Sequence, residues 1–409
     1  MTSLLRTFAA ALALLAAFAA CPASAQAPKA APLTILISID GFRADYLQRG
    51  KTPTLALMAS DGVRAVMRPS FPSLTFPNHY TLVTGLRPDE HGIVANTMED
   101  AARPGVVFML NKPDIVHDPI WWDQAEPLWV TAEKQGVRTA TMFWPGSDAP
   151  IRGVQPHDWR LFNKNLPASA RVDQVLAWLD RPPAERPRFV TLYFDAVDSA
   201  GHAGGPDSDA VDKALVDTDA DLALLLRGLQ KRGLLESTDV VVVADHGMAA
   251  TSATRQIVLA ELMPADAFHA VSQGAVAGIR PQAGHEADVA QALLAPHDHM
   301  TCWRKAEIPP RLHYGKNPRA PPFVCLAATG WVIEAGRSAR GPPRGEHGYD
   351  PEDPQMAALF VAHGPSFKHG VVLPAFDNVD VYPLLAKLVG VAPRPNDGAL
   401  ADIAPALAH

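Results

Sequence analysis

Apolar residues run almost unbroken through four short stretches: "LTILISID" (33–40), "RFVTLYFDAVD" (188–198), "DVVVVADHG" (239–247) and "MAALFVAHG" (356–364). Runs this short and rich in β-branched side chains predict strands buried on both faces, as in a parallel sheet covered by helices. Between the second and third runs, Val211, Leu215, Leu222, Leu225 and Leu229 recur on one helical face, and Gly233 offers a stop. Strands alternating with helices predict an α/β fold around a largely parallel sheet flanked by helices.

Two segments break this rhythm. Residues 99–125 are mixed and rich in Pro and Trp, and residues 249–345 separate one core strand from the next. Within the latter, "AVAGIRPQ" (275–282) and "EADVAQALLA" (286–295) have the pattern of a small strand–helix unit. The expected organisation is a core formed by residues 26–248 and 346–409, with 249–345 as a smaller, cap-like α/β insertion. No internal repeat is evident.

The first 25 residues have the pattern of a signal peptide. Arg6 precedes the apolar run "TFAAALALLAAFAA" (7–20), and "ASA" (23–25) supplies a small-residue cleavage site. Cys21 offers an alternative, a lipoprotein anchor. The expected location is periplasmic or secreted, with no transmembrane segment in the remaining chain. Cys302 and Cys325 then form an isolated pair in an exported protein, read as one disulfide within a Pro-rich, loop-like region. The formal net charge is −7 and no basic block occurs, which argues against a groove for polymeric nucleic acid. The oligomeric state has no signature.

Ligands of open α/β sheets sit beyond the carboxyl ends of the strands. The first run ends in Asp40, the second leads into Asp195, Asp198 and His202, and the third ends in Asp245 and His246. His347 follows much later in "GEHGYD". One Asp after an apolar run is usually a turn or cap residue. Three strands that all end in carboxylates are different, because the carboxylates repel one another unless a cation lies between them. Carboxylate plus imidazole suits zinc, and six such groups can fill two sites of three ligands each.

"PSFPSLTFPNHYTLVTG" (69–85) supplies the missing reactant. Thr75 is a weak nucleophile unless its proton is removed and its direction fixed, which an adjacent zinc can do. Pro72 and Pro77 restrict the backbone that presents it. In "HGIVAN" (91–96), Gly92 and Asn96 can place an amide donor where phosphoryl charge develops. "HDH" (297–299) has ligand residue types but no third partner, and is read as surface loop. His79 and His91 are read as supports of the nucleophile loop, and the run Asp207, Asp209, Asp212, Asp217, Asp219 and Asp221 as a solvated helix face.

At these residues the chain resembles the nucleotide pyrophosphatase/phosphodiesterase family of the alkaline phosphatase superfamily. Seven ordered segments carry the resemblance: "SIDGFRADYL" (38–47), "TFPNHYTLVTGLRPDEHGI" (75–93), "PLWVTAEKQG" (127–136), "FWPGSD" (143–148), "YFDAVDSAGHAGGP" (193–206), "ADHGM" (244–248) and "GEHGYD" (345–350). It implies an alkaline-phosphatase-like core and two zinc ions per chain. Asp198, His202 and His347 would hold one, and Asp40, Asp245 and His246 the other, which the nucleophile Thr75 also touches. Asn96 matches the family's phosphate-oxygen donor, and Phe76 and Tyr193 match positions that sandwich a nucleobase. The implied reaction cleaves nucleoside triphosphates and nucleotide diesters at the α-phosphate, through a phospho-threonine, to give a nucleoside monophosphate. The alternatives are a phospholipid head-group or lysophospholipid phosphodiesterase, and a non-catalytic zinc-dependent binding protein.

Overall fold

Leu33–Ile39, buried from Thr34 onward, lies near the middle of a sheet of nine described strands. The computed structural model describes residues 32–337 and 343–408; the expected signal segment, Cys21 included, lies outside them. From one edge the order is Val371–Val372, Val63–Arg68, Ala358–His363, Thr238–Val243, Leu33–Ile39, Phe189–Phe194, Thr139–Met142 and Asp158–Trp159. Phe376–Asp377 also pairs with Val63–Arg68. The block from Thr238–Val243 to Asp158–Trp159 is parallel throughout. Ala358–His363 runs antiparallel to both its neighbours, so the sheet is mixed but largely parallel.

The first strand is flanked by two strands that come much later in the chain, Phe189–Phe194 and Thr238–Val243. The carboxyl ends of these three parallel strands lie side by side, which is where ligands of such sheets sit. Helices Ala168–Leu179 and Asp209–Lys231 pack on one another, and Val381–Val389 packs on the first strand and on Thr75–Thr84. Val211, Leu215, Leu222, Leu225 and Leu229 are buried as their spacing predicts, and Gly233, at φ 65°, follows the helix end. One residue of the acidic run departs from expectation. Asp219 is buried and accepts the amides of Thr54 and Leu55 at 3.0 and 2.9 Å, capping the helix Pro53–Asp61.

Residues 249–345 carry more strand than their sequence pattern indicates. Phe268–Ser272, Val276–Pro281, Phe323–Ala327 and Met300–Arg304 form an antiparallel sheet, with the helix Glu286–Leu294 against it. Alternation along one strand divides its side chains between two cores. Phe323, Cys325 and Ala327 join Ile279, Val289 and Leu293, whereas Val324 and Leu326 join Phe71, Ile308 and Leu312. Cys302 and Cys325 stand opposite each other on adjacent strands and form a disulfide. The pairing is the expected one, but its setting is a sheet rather than a loop, because the prolines at 309–310 and 321–322 bound the strands rather than interrupt them. The segment's two ends meet where Ala249–Ala250 pairs antiparallel with Gly345–Glu346. No helix of the described residues is long and apolar enough to cross a membrane.

Candidate active site

Asp40 directly follows the first strand, and Asp245 and His246 follow Thr238–Val243. Asp198 and His202 lie one turn apart on the helix Ala196–Gly204, which begins just beyond Phe189–Phe194. His347 follows Gly345–Glu346, and Thr75 is the first residue of Thr75–Thr84. Gly41 fits this crowded corner only without a side chain: its φ is 68°, and a Cβ would stand 3.0 Å from the Cα and Cβ of Asp198.

All six expected donors converge. Those of Asp40, Asp245 and His246 lie within 4.8 Å of one another, as do those of Asp198, His246 and His347. Asp198 Oδ1 is 3.5 Å from His202 Nε2 and 3.6 Å from His347 Nε2. Each imidazole is oriented from behind by a backbone carbonyl on Nδ1: Gly247 for His246 at 2.9 Å, Gly345 for His202 at 2.8 Å and Ser73 for His347 at 2.9 Å. With Nδ1–H donating to a carbonyl, Nε2 of each ring is left facing the carboxylates, where the neutral form offers a lone pair. Asp40 Oδ1, Asp198 Oδ1 and Asp245 Oδ2 are buried without a hydrogen-bond partner. Lone pairs facing unpaired carboxylate oxygens in a buried site form a donor set that a dication satisfies.

The titration of these groups carries the same strain. Burial, then the charges of Asp245 and Asp198, push Asp40 well above the usual carboxylate range. Burial raises Asp198. Burial also acts upward on Asp245, but His246 and His79 hold it well below its ordinary value. His347 is held well below the usual imidazole range by burial and by its neighbours His246 and His202.

Thr75 Oγ1 lies 3.2 Å from His246 Nε2. Its loop is tied down by Asn78, whose amide donates to the carbonyls of Pro72 and Leu74 and accepts from Ser70 N–H. His79 donates to the Thr75 carbonyl at 2.9 Å and meets Ser38 Oγ at 2.8 Å, and His91 bonds Thr81 and the Pro77 carbonyl, so both support this element as expected. Asn96 Oδ1 accepts Phe76 N–H at 2.9 Å, which leaves the Asn96 amide donors for the cleft.

The cleft holds about 360 Å³ and is lined by Thr75, Phe76, Asn96, Leu110, Phe143, Phe162 and Tyr193 beside Asp40, Asp198, His202 and His347. Tyr193 is 9% exposed and donates its hydroxyl to Asp40 Oδ2 at 2.5 Å. Phe162, which sequence reasoning passed over, is 49% exposed, with its ring centre 6.1 Å from that of Tyr193. Its stretch "WRLFNK" (159–164) has no periodicity to single it out. Glu346 was also missed; one of its oxygens lies within 4.8 Å of the donor atoms of His202 and His347. Its place directly before His347 was the available signal.

The sequence model of type I phosphodiesterase / nucleotide pyrophosphatase matches residues 34–350. The chain belongs to that family. By class it is a phosphoric diester hydrolase, and metal dependence is a family property that its clustered donors suit. Over 379 residues it is 38% identical to ectonucleotide pyrophosphatase/phosphodiesterase family member 3 of Rattus norvegicus, covering 90% of this chain but 43% of that protein. Over 373 residues it is 37% identical to bis(5'-adenosyl)-triphosphatase of Xenopus laevis, covering 91% of this chain and 80% of that one. The chain thus spans less than half the length of the rat relative. Its fold matches murine ectonucleotide pyrophosphatase/phosphodiesterase 5, solved as an inactive threonine-to-alanine variant with AMP. The TM-score is 0.89 at 32% identity, over 93% of this chain and all of that one.

Proposed function

We propose that this enzyme cleaves nucleoside triphosphates and nucleotide diesters at the α-phosphate, releasing a nucleoside monophosphate. One observation carries the reading: three buried, unpartnered carboxylate oxygens and three oriented imidazoles converge beside the Thr75 hydroxyl. Asp40, Asp245 and His246, with Thr75, would hold one zinc, and Asp198, His202 and His347 the other. When bound, the pair supplies charge stabilisation to the attacking and leaving oxygens of the displacement.

The chain's own groups do the rest. Thr75 Oγ1 attacks phosphorus as its proton passes to solvent water, and the bond to the leaving oxygen breaks, its electron pair staying on the departing phosphate or alcohol oxygen. The resulting phospho-threonine is then hydrolysed by water entering from the leaving-group side. Asn96, fixed through Phe76 N–H, donates to a non-bridging oxygen. Phe76 and Phe162 offer ring surface to the nucleobase, and Tyr193 forms the floor of that slot while its hydroxyl orients Asp40. Residues 249–345 are an insertion that leaves and re-enters the core at one strand pair. Residues 1–25 direct export to the periplasm or beyond.

The test is product analysis with ATP, a dinucleoside polyphosphate, p-nitrophenyl phosphate and a lysophospholipid, each with and without chelator. AMP from ATP, abolished by chelation and restored by zinc, is expected. Preferred turnover of the lysophospholipid would transfer the assignment to the head-group phosphodiesterases. Zinc binding without turnover of any substrate would leave a binding protein.

A further inference from the structure

The two proposed metal positions differ in charge. Asp40 and Asp245 bring two carboxylates to one dication, whereas Asp198 is the only carboxylate expected at the other. Glu346 stands beside that second position. One of its oxygens lies within 4.8 Å of the donor atoms of His202 and His347, and Oε1 accepts His347 N–H at 3.0 Å. The pairing of Gly345–Glu346 with Ala249–Ala250 fixes the backbone from which it projects.

Glu346 is half-buried and faces the imidazoles of His202 and His347. As zinc ligands those rings are neutral and cannot balance a carboxylate. A desolvated charge without a counter-charge is costly.

We infer that Glu346 is the second carboxylate of the metal position formed by Asp198, His202 and His347, a positioning residue that balances the dication's charge and tightens its binding. The inference rests on the two-zinc reading above. Glu346→Gln isolates the charge, because the amide oxygen still accepts His347 N–H.

The experiment titrates zinc into chelator-stripped, full-length protein against a chromogenic competitor. Thermal melts with and without zinc accompany it. In Glu346→Gln one of two zinc dissociation constants should rise about ten- to a hundredfold, the range for groups that support first-sphere ligands. The other constant should stay within twofold. The zinc-free variant should melt no lower than wild type, since a poorly compensated charge has been removed, while the increment from zinc shrinks. Glu346→Asp, which keeps the charge, should recover part of the affinity. Two tight sites in wild type, with both constants unchanged in Glu346→Gln, would overturn the inference and leave the two-zinc reading standing. A lower melt of the zinc-free variant with equal losses at both sites would overturn it in favour of a structural role. A wild type that binds no zinc would overturn both.

Discussion

Phe162 and Tyr193 border the same cleft but present unequal surfaces, and the difference predicts separable phenotypes. An aromatic side chain buries 150–250 Å², so the 49% exposure of Phe162 leaves roughly 100 Å² for a ligand. A base covering one face takes about half of this, which at ~25 cal/mol/Å² is roughly 1.2 kcal/mol. Stacking on an aromatic is worth ~1–3 kcal/mol. Phe162→Ala should therefore lower kcat/KM for a nucleotide diester by at least about fivefold and at most about 150-fold. A methyl aryl phosphodiester, which has no base, should be much less affected. Tyr193, 9% exposed, offers only roughly 20 Å² and about 0.5 kcal/mol. Its hydroxyl instead supports Asp40, and a hydrogen bond to a charged group is worth ~1.5–3 kcal/mol. Tyr193→Phe should slow both substrates equally, by at least about tenfold. The assay is the ratio of the two specificity constants in each variant. An unchanged ratio in Phe162→Ala, or a nucleotide-selective loss in Tyr193→Phe, would refute this division of roles.

Thr75→Ala should abolish diester cleavage with the fold and zinc content retained, and Thr75→Ser should keep some activity; turnover of the alanine variant near the wild-type rate would replace the covalent route with direct attack by water. Asp245→Ala or His347→Ala removes a carboxylate or imidazole ligand from its proposed site, so metal analysis should find less than two zincs per chain, and full stoichiometry in both would sink the ligand assignment. Burial lowers His91 to about 3, so the unfolded chain, titrating near ~6.5, takes up the proton first. The stability that neutral His91 contributes is complete above about pH 6.5 and is lost as pH falls toward 3, at roughly 1.4 kcal/mol per unit. Urea unfolding of zinc-stripped wild type should then lose about 2 kcal/mol more than His91→Gln between pH 6.5 and 5, and parallel curves would discard the mechanism.

The central strands were legible because strands buried on both faces need continuous apolar runs, and such runs cannot hide in a sequence. The convergence of the candidate donor groups was legible for a related reason. A parallel block aligns its carboxyl ends, so Asp40 and Asp245 become neighbours wherever they lie in the chain. The second sheet was only partly legible, since strands such as "FHAVS" and "MTCWR" mix exposed and buried positions over five residues. Asp219 was misread because helical spacing alone does not reveal that the amides of Thr54 and Leu55 abut that turn. The second contact of Tyr193 was hidden for a similar cause. Sequence adjacency to Asp198 drew attention to Tyr193, but its hydroxyl is committed to Asp40 through contact across the sheet, which no local pattern encodes.

The irregular stretch between Gly92 and Trp121 carries Asn96 and one wall of the cleft, yet it has little regular structure to satisfy its own backbone. Partners come from residues 315–319, in the loop before Phe323–Ala327. Arg319, with its side chain 3% exposed, donates to the carbonyls of Gly92, Ile120 and Trp121 at 2.9, 2.9 and 2.6 Å and to Asp100 at 2.7 Å. Beside it, the Asp89 carboxylate accepts the amides of Gly315, Lys316 and Asn317. Each of those carbonyls, left unpaired and buried, would cost ~1–3 kcal/mol, so the contacts fix both ends of the stretch. From the same segment, Val276, Val324 and Leu326 pack against Phe71, four residues before Thr75. Residues 249–345 thus brace both the Thr75 loop and the wall carrying Asn96. Their separation is set by a folded scaffold rather than by two independently mobile loops, as a reaction sensitive to ångström displacements requires.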